Sequence, residues 1–316
     1  MQRIILFSIF LCCLISSQAF AFWVWTPETR KWVNPKYAVK ETPQKQLEYG
    51  LEVAKSEDYK KAEAEMFKLI KHYPKAREAA EAQFYIAEFQ EKQDDFNKAF
   101  KSYQMVINKY PFTQRTNEVV RRQYEMASAL LDGRAEKKEG FWAKVAISNV
   151  NVEEIFKQVI KNAPYGEFAA PAQYKIGLFL KEEGLLQEAR DAFEKTVNDY
   201  PDSEWAKAAR YQIALADADR SAEAAYDQKI TASAIEEFKE FVKDYPDAEL
   251  SREAKGRISK LREKEAENYF LVAQFYEKQK QYAAAKVYYS TIINDYKDTV
   301  WAKQALENIQ ALGKKK

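Results

Sequence analysis

Thiol and metal chemistry need clustered cysteine or histidine, and this 316-residue chain holds two cysteines and one histidine. His72 lies in Lys71-His72-Tyr73, a polar helix end, and reads as a solvated side chain rather than a base or ligand. Cys12 and Cys13 fall inside a short apolar N-terminal stretch. The rest of the chain therefore has no cysteine for a disulfide, a nucleophile or a zinc site. The eight glycines form no phosphate-binding loop. Carboxylates are plentiful, but Glu63 and Glu65 sit with Lys68 and Lys71 in the pattern of a solvated helix face. The sequence predicts no enzyme, no catalytic residue, no metal and no cofactor. Its chemistry is that of binding: aromatic side chains recur at fixed spacing beside lysine and glutamate, which suits a peptide or helix partner.

The elements that position these residues are punctuated by Tyr73-Pro74, Tyr110-Pro111, Tyr200-Pro201 and Tyr245-Pro246, with a variant at Ala163-Pro164. Successive prolines are 37, 53, 37 and 45 residues apart, one period with two insertions. A fixed period in this range indicates a repeat solenoid. Upstream of Pro111 lie Ala87, Ala99, Tyr103 and Val106; upstream of Pro201, Gly177, Ala189, Phe193 and Thr196; upstream of Pro74, Gly50, Ala62, Met66 and Leu69. The offsets of 24, 12, 8 and 5 are the same in all three. Pro246 keeps the last three as Ala234, Phe238 and Phe241, and Pro164 has Val152, Phe156 and Val159. Small residues let two antiparallel helices approach, an aromatic wedges between neighbours, and the proline ends the second helix. This pattern resembles the tetratricopeptide repeat. The fold class expected is an all-α tetratricopeptide-repeat solenoid of about six helix pairs with a C-terminal capping helix.

The predicted pairs are 44–56 with 59–73, 77–92 with 95–110, 115–131 with 151–163, 168–183 with 186–200, 203–222 with 229–245, and 249–279 with 282–296. Lys297 stands where the last proline would be, and a helix over 299–312 closes the array. Domain organisation follows as a signal segment over 1–21, an arm over 22–43, N-terminal repeats over 44–132, an insertion loop over 133–150 and C-terminal repeats over 151–313. The insertion loop has a charged part from Arg134 to Glu139, then Gly140-Phe141-Trp142. Phe141 and Trp142 are either a docking knob or packed on the outer helices. The arm crowds Trp23, Trp25 and Trp32 among Pro27, Pro35 and Pro43. It is expected to be extended or irregular, either capping the first repeat or carrying aromatic anchors for a partner.

Charge excludes one class of partner. There are 50 basic and 48 acidic residues, without the basic excess of nucleic-acid binders. Arg3, the apolar run from Ile4 to Ile15 and Ala19-Phe20-Ala21 read as a signal peptide cleaved after Ala21. The small residue that normally precedes a lipid-modified cysteine is missing, since Leu11 precedes Cys12 and Cys12 precedes Cys13. A soluble periplasmic protein is expected, with lipid attachment the minority alternative. In tetratricopeptide arrays the first helix of each pair lines a groove. The register places Leu47, Leu51, Phe84, Glu88, Tyr174, Leu178, Tyr211 and Leu215 there as partner-binding candidates.

The stretch from Trp205 to Leu312 carries a more specific pattern. It contains Tyr226-Asp227-Gln228-Lys229, Ala234-Ile235-Glu236-Glu237-Phe238, Tyr245-Pro246-Asp247 and the run from Leu261 to Ala266. Val272-Ala273-Gln274-Phe275-Tyr276, Ala283 to Lys286 and Asp295-Tyr296-Lys297-Asp298-Thr299 follow. In order and spacing this resembles the BamD-like outer-membrane protein assembly factors. The resemblance implies a non-catalytic scaffold without a small-molecule substrate, peripheral to the outer membrane. N-terminal repeats, with Phe84 and its neighbours, would receive unfolded outer-membrane protein segments. The region 229–296 would dock a BamA-like barrel subunit. The chain departs from the family in lacking the N-terminal lipidated cysteine and in having six repeats where five are usual. It also carries Tyr288 where an arginine often sits. The alternative is a coordinator of cell-wall synthesis and envelope constriction like the Tol-Pal-associated repeat proteins. The prolines and the lack of heptads in 22–43 count against their coiled coil.

A mass measurement on the exported chain should give Phe22 as the first residue. A mass matching an acylated cysteine would overturn that reading.

Overall fold

The computed structural model describes residues 23–26, 31–34, 38–136, 151–223 and 228–313. The signal segment, Phe141 and Trp142 lie outside the described residues. Two short strands, β1 (Val24–Thr26) and β2 (Lys31–Val33), precede thirteen helices among the described residues. These are α1 (Pro43–Lys55), α2 (Tyr59–His72), α3 (Arg77–Lys92), α4 (Phe96–Lys109), α5 (Thr116–Glu136), α6 (Val152–Asn162), α7 (Ala169–Glu182), α8 (Leu186–Asp199), α9 (Glu204–Glu223), α10 (Gln228–Asp244), α11 (Glu249–Lys278), α12 (Tyr282–Asp295) and α13 (Val300–Gly313). Consecutive helices pair into a tetratricopeptide-type solenoid. The chain divides into two compact units at Val119 and Val120, and each is described by itself.

One turn closes the described second helices. The Tyr73 N–H donates to the Leu69 carbonyl at 2.8 Å, and the Ala76 N–H returns to the Tyr73 carbonyl at 3.0 Å. The same two bonds recur at Tyr110, Tyr200 and Tyr245, and at Ala163. Proline sits inside this turn, where its fixed φ is accommodated and its missing N–H costs nothing. At the last repeat Tyr296 and Thr299 make the same bonds although Lys297 replaces the proline. Within pairs the reversal uses a left-handed residue, which is Gly184 between α7 and α8. Glu57, Asp94 and Lys280 take that conformation despite carrying a Cβ. Asp58 and Asp95 then cap α2 and α4 by accepting from the Lys61 and Lys98 N–H groups.

In the N-terminal unit Ala62, Met66, Leu69, Ala79, Ala82, Ile86 and Phe89 form the core, with Leu47 from α1. In the C-terminal unit one cluster joins Tyr211, Ala214, Phe238, Phe241 and Ala254. A second joins Ala266, Phe270, Ala273, Ala285, Tyr289, Ile292, Ala305 and Leu312. The long α11 serves both clusters, through Ala254 in its first half and Ala266 to Ala273 in its second. The closing α13 buries Ala305 and Leu312 and sets Trp301 on Phe270, ring centroids 5.1 Å apart.

The structure corrects two local expectations. Asp132-Gly133 does not end α5, which runs on to Glu136. Leu130 and Leu131 are buried just before it, and arginine, alanine and glutamate follow, all good helix formers. The arm does not cap the first repeat with its tryptophans: β1 and β2 pair as an antiparallel hairpin that leaves Trp23, Trp25 and Trp32 exposed.

Glycine is required at the α7–α8 crossing and not in an open stretch of α11. A Cβ on Gly177 would lie 2.4 Å from the Phe193 ring, whereas one on Gly256 meets nothing within 4 Å. Gly177→Ala should lower stability by about 1–3 kcal/mol through overpacking. Gly256→Ala, in an open stretch of helix, should raise it by about 0.5–1 kcal/mol. Denaturant unfolding of both variants checks the pair, and equal shifts of one sign would refute it.

Candidate protein-interaction surfaces

The predicted groove residues divide into two groups. Leu47, Phe84 and Tyr211 are buried between helices. This corrects the expectation that they line an open surface: the residue three before the small helix-contact position is drawn into the packing. Phe84 meets Tyr103 edge-on at 5.6 Å and carries the Arg115 guanidinium 4.6 Å above its ring. Arg115 in turn holds Glu81 through Nη2 at 2.6 Å. Tyr211 packs on Phe238 and Phe241. Burial and the neighbouring Glu253 carboxylate push its phenol up to about 12. Leu51, Glu88, Tyr174, Leu178 and Leu215 are half-buried. Glu88 faces Lys92 at 3.6 Å. Tyr174 lies between Phe193 and Trp205, at 5.5 and 5.2 Å. The candidates share helices in pairs, as their spacing requires, but aromatic members of those pairs serve helix packing.

A buried brace escaped sequence reading. Gln46, Gln83 and Gln173 sit four residues before the small residues Gly50, Ala87 and Gly177. Each donates its side-chain amide to the backbone carbonyl 19 residues on: Glu65 at 3.1 Å, Ser102 at 3.2 Å and Ala192 at 3.1 Å. Gln123 holds the same position in α5 and accepts from Asn162 of α6 at 2.9 Å. In the last two pairs the position belongs to Arg210 and Tyr269. Recurrence of glutamine at this offset was the available signal.

Where Tyr269 replaces the brace, aromatic rings reach the surface. Leu271 and Phe275 are 55% and 58% exposed, one turn apart on α11. Phe275 meets Tyr276 edge-on at 5.7 Å, and Tyr276 stacks on Tyr288 of α12 at 5.4 Å with 14° between planes. Tyr288 continues to Tyr269, and Tyr269 to Tyr296, 5.6 Å apart. Arg262 closes the row, 5.2 Å above Tyr296, with Nε donating to Asp298 at 3.0 Å and Nη2 to the Asp295 carbonyl at 2.7 Å. That pairing holds the Asp298 carboxyl below its usual range. Burial raises the Tyr296 phenol and the Glu265 carboxyl beside it. The row offers apolar area at one end and a fixed cation with carboxylates at the other. Among the described residues no group of histidine, cysteine, aspartate and glutamate could hold a metal, and His72 is exposed. No described helix is long and apolar enough to cross a membrane.

A second polar node joins α8, α9 and α10. Buried Asp217 accepts from Arg190 Nε at 3.2 Å, from Arg220 at 3.0 Å and from the Ser233 hydroxyl at 2.9 Å. Arg190 also pairs with Glu194 and reaches Glu237 at 3.5 Å.

Residues 215–315 match the model of a family described as YfiO, outer membrane lipoprotein. Residues 81–113 and 171–203 match a tetratricopeptide-repeat model, each match ending just past a Tyr-Pro turn. A comparison with curated proteins finds no match. Among solved structures, the chain is similar to the C-terminal part of a repeat-containing protein from Cytophaga hutchinsonii. That match has 14% identity and a TM-score of 0.38, and covers 80% of this chain and 83% of that one. A tetratricopeptide-repeat protein from Parabacteroides merdae matches at 14% identity, TM-score 0.36, covering 86% and 99%. A thermophilic tetratricopeptide-repeat protein from Thermus thermophilus matches at 14% identity, TM-score 0.33, covering 70% and 98%.

The polar node has a pH signature. Burial raises the Glu237 carboxyl, opposed by Arg190 and reinforced by Glu240, Asp217 and Glu194. A carboxyl raised in the folded state favours folding below its unfolded value of about 4.3 and loses that contribution as pH climbs through the folded value. Glu237→Gln should therefore gain stability relative to the parent as pH rises from about 4 to 7. Paired urea titrations across that range check it. A variant that loses ground with rising pH would mean the Arg190 pairing outweighs burial.

Proposed function

We propose that this chain is a non-catalytic periplasmic scaffold of outer-membrane protein assembly. Its C-terminal unit binds a BamA-like barrel subunit through the surface of α11 and α12. Its N-terminal repeats receive unfolded outer-membrane protein segments. The observation that carries the reading is a coincidence of place. The family match over 215–315 spans α11 to α13, and these helices hold the exposed row from Leu271 and Phe275 to Arg262. BamD belongs to the matched YfiO family, so the match agrees with the resemblance read from the sequence.

The physical arrangement suits a docked protein. An exposed aromatic anchor beside a leucine supplies desolvation energy at the centre of an interface. Arg262, held by Asp298, supplies an oriented charge at its edge that fixes register. Repeat proteins bind on surfaces that successive helices build together, and α11 and α12 form such a surface within one unit.

A photo-crosslinking residue at Phe275, installed in exporting cells, should capture a barrel-assembly subunit. Recovery of only a cell-wall synthase or a Tol component would overturn the proposal and favour the coordinator reading. Phe275→Ala with Leu271→Ala should cut co-purification of the subunit at least about tenfold while leaving thermal unfolding nearly unchanged, because both side chains are already exposed.

A further inference from the structure

Three tryptophans crowd the short hairpin that the helical surfaces leave unused. β1 and β2 pair with Trp25 directly opposite Trp32. The two indoles meet edge to face, centroids 5.8 Å apart. Opposed residues share one face of a ribbon, and Trp23 stands just before β1 begins. Trp23, Trp25 and Trp32 remain 55%, 46% and 61% exposed. A lone two-stranded ribbon is marginal in water. Three open indoles on such a ribbon are an interaction feature rather than scattered surface residues.

The stem of this arm is tied to the first repeat. The Lys40 N–H donates to Gln46 Oε1 at 2.8 Å, and the Tyr73 hydroxyl donates to the Lys40 carbonyl at 2.7 Å. Lys40 Nζ lies 4.2 Å above the Tyr49 ring. Lys40 thus anchors the arm seven residues after Val33, while the indole face stays open.

We propose that the indole face of this hairpin inserts into the interfacial zone of an anionic lipid bilayer. Two observations favour a bilayer over a protein pocket. Indole suits the headgroup level, where its ring is sheltered and its N–H stays wet. Two indoles in contact, with a third exposed indole next to β1, make a broad shallow apolar face rather than a single protruding anchor. The second observation is charge. From Trp23 to Lys40 the sequence carries Arg30, Lys31, Lys36 and Lys40 against Glu28 alone, in a chain that is otherwise nearly balanced. A local cationic excess complements anionic headgroups. The inference stands apart from the scaffold reading, and either can fail without the other.

The test uses the chain recovered from exporting cells, its N terminus read by mass. It is mixed with vesicles of phosphatidylglycerol or phosphatidylcholine in which part of the lipid is brominated on the acyl chains. Bromine quenches indoles that enter the bilayer. Emission should fall with phosphatidylglycerol, much less with phosphatidylcholine, and less again as salt screens the attraction. Trp25→Ala with Trp32→Ala should raise the lipid needed for half-maximal quenching roughly tenfold or more, since two large apolar rings are lost. Its helical circular dichroism should match the parent. The comparison within one preparation reads the indoles even if another anchor is present. Undiminished quenching in the double variant, or none on either vesicle, overturns the proposal. So does a double variant that loses a co-purifying protein while its quenching is unaltered, which would make the hairpin a protein-binding element.

Discussion

The structure depends on how closely two paired helices approach. Gly177 faces Phe193 with no room for a methyl group, and Gly50 faces Met66 almost as tightly. Ala62, Ala87, Ala99, Ala189, Ala234 and Ala285 hold the equivalent small positions and are fully buried. Close contact brings the backbone of the second helix within reach of a glutamine on the first. Gln46, Gln83 and Gln173 then satisfy a buried amide against a backbone carbonyl. A wider crossing would leave that amide unpaired, at a cost of about 1–3 kcal/mol per group. Small residue and glutamine are two halves of one constraint, which explains their constant offset of four.

Releasing the constraint changes what the surface can do. At Arg210 the position turns outward to pair with Asp244 at 3.1 Å. At Tyr269 the ring joins Tyr288 and Tyr296 instead of bracing a carbonyl. The half-exposed row from Phe275 to Tyr296 therefore occurs where the glutamine is absent. The repeat keeps its core through Ala273, Ala285 and Tyr289 and gives up a buried polar bond. The first repeats use this position to hold helices together, and the last one puts it in a half-exposed aromatic row.

The solenoid was legible because most copies write its period in small residues and proline at fixed offsets. Proline, alanine and glycine at fixed offsets act through backbone sterics, which operate locally and so leave a sequence trace. Where Lys297 replaced proline the turn survived, because Tyr296 and Thr299 make its hydrogen bonds without it. The candidate interaction surface was less legible. Leu47, Phe84 and Tyr211 have the residue types of a groove lining, but burial depends on what the next helix presents. Tyr288 and Tyr289 are identical in type and adjacent in sequence. Only the second is core, where its hydroxyl receives the Asn308 amide at 2.9 Å. The Trp25 and Trp32 pairing was hidden for a related reason: three prolines argued against regular structure, yet none falls within the paired residues themselves.

The exposed row on α11 is not simply the raw end of a stack. Terminal repeats need a cap, and α13 supplies one, setting Trp301 on Phe270 and Asn308 on Tyr289. Phe270 and Leu271 are neighbours in sequence but diverge by about 100° around a helix. The cap takes Phe270 and leaves Leu271 with Phe275 outside. A polar pair at 271 and 275 would have served a closing helix equally well, since α13 does not bury them. Their apolar character thus has no role in closing the stack, and it is this exposed pair that the proposed docking would desolvate.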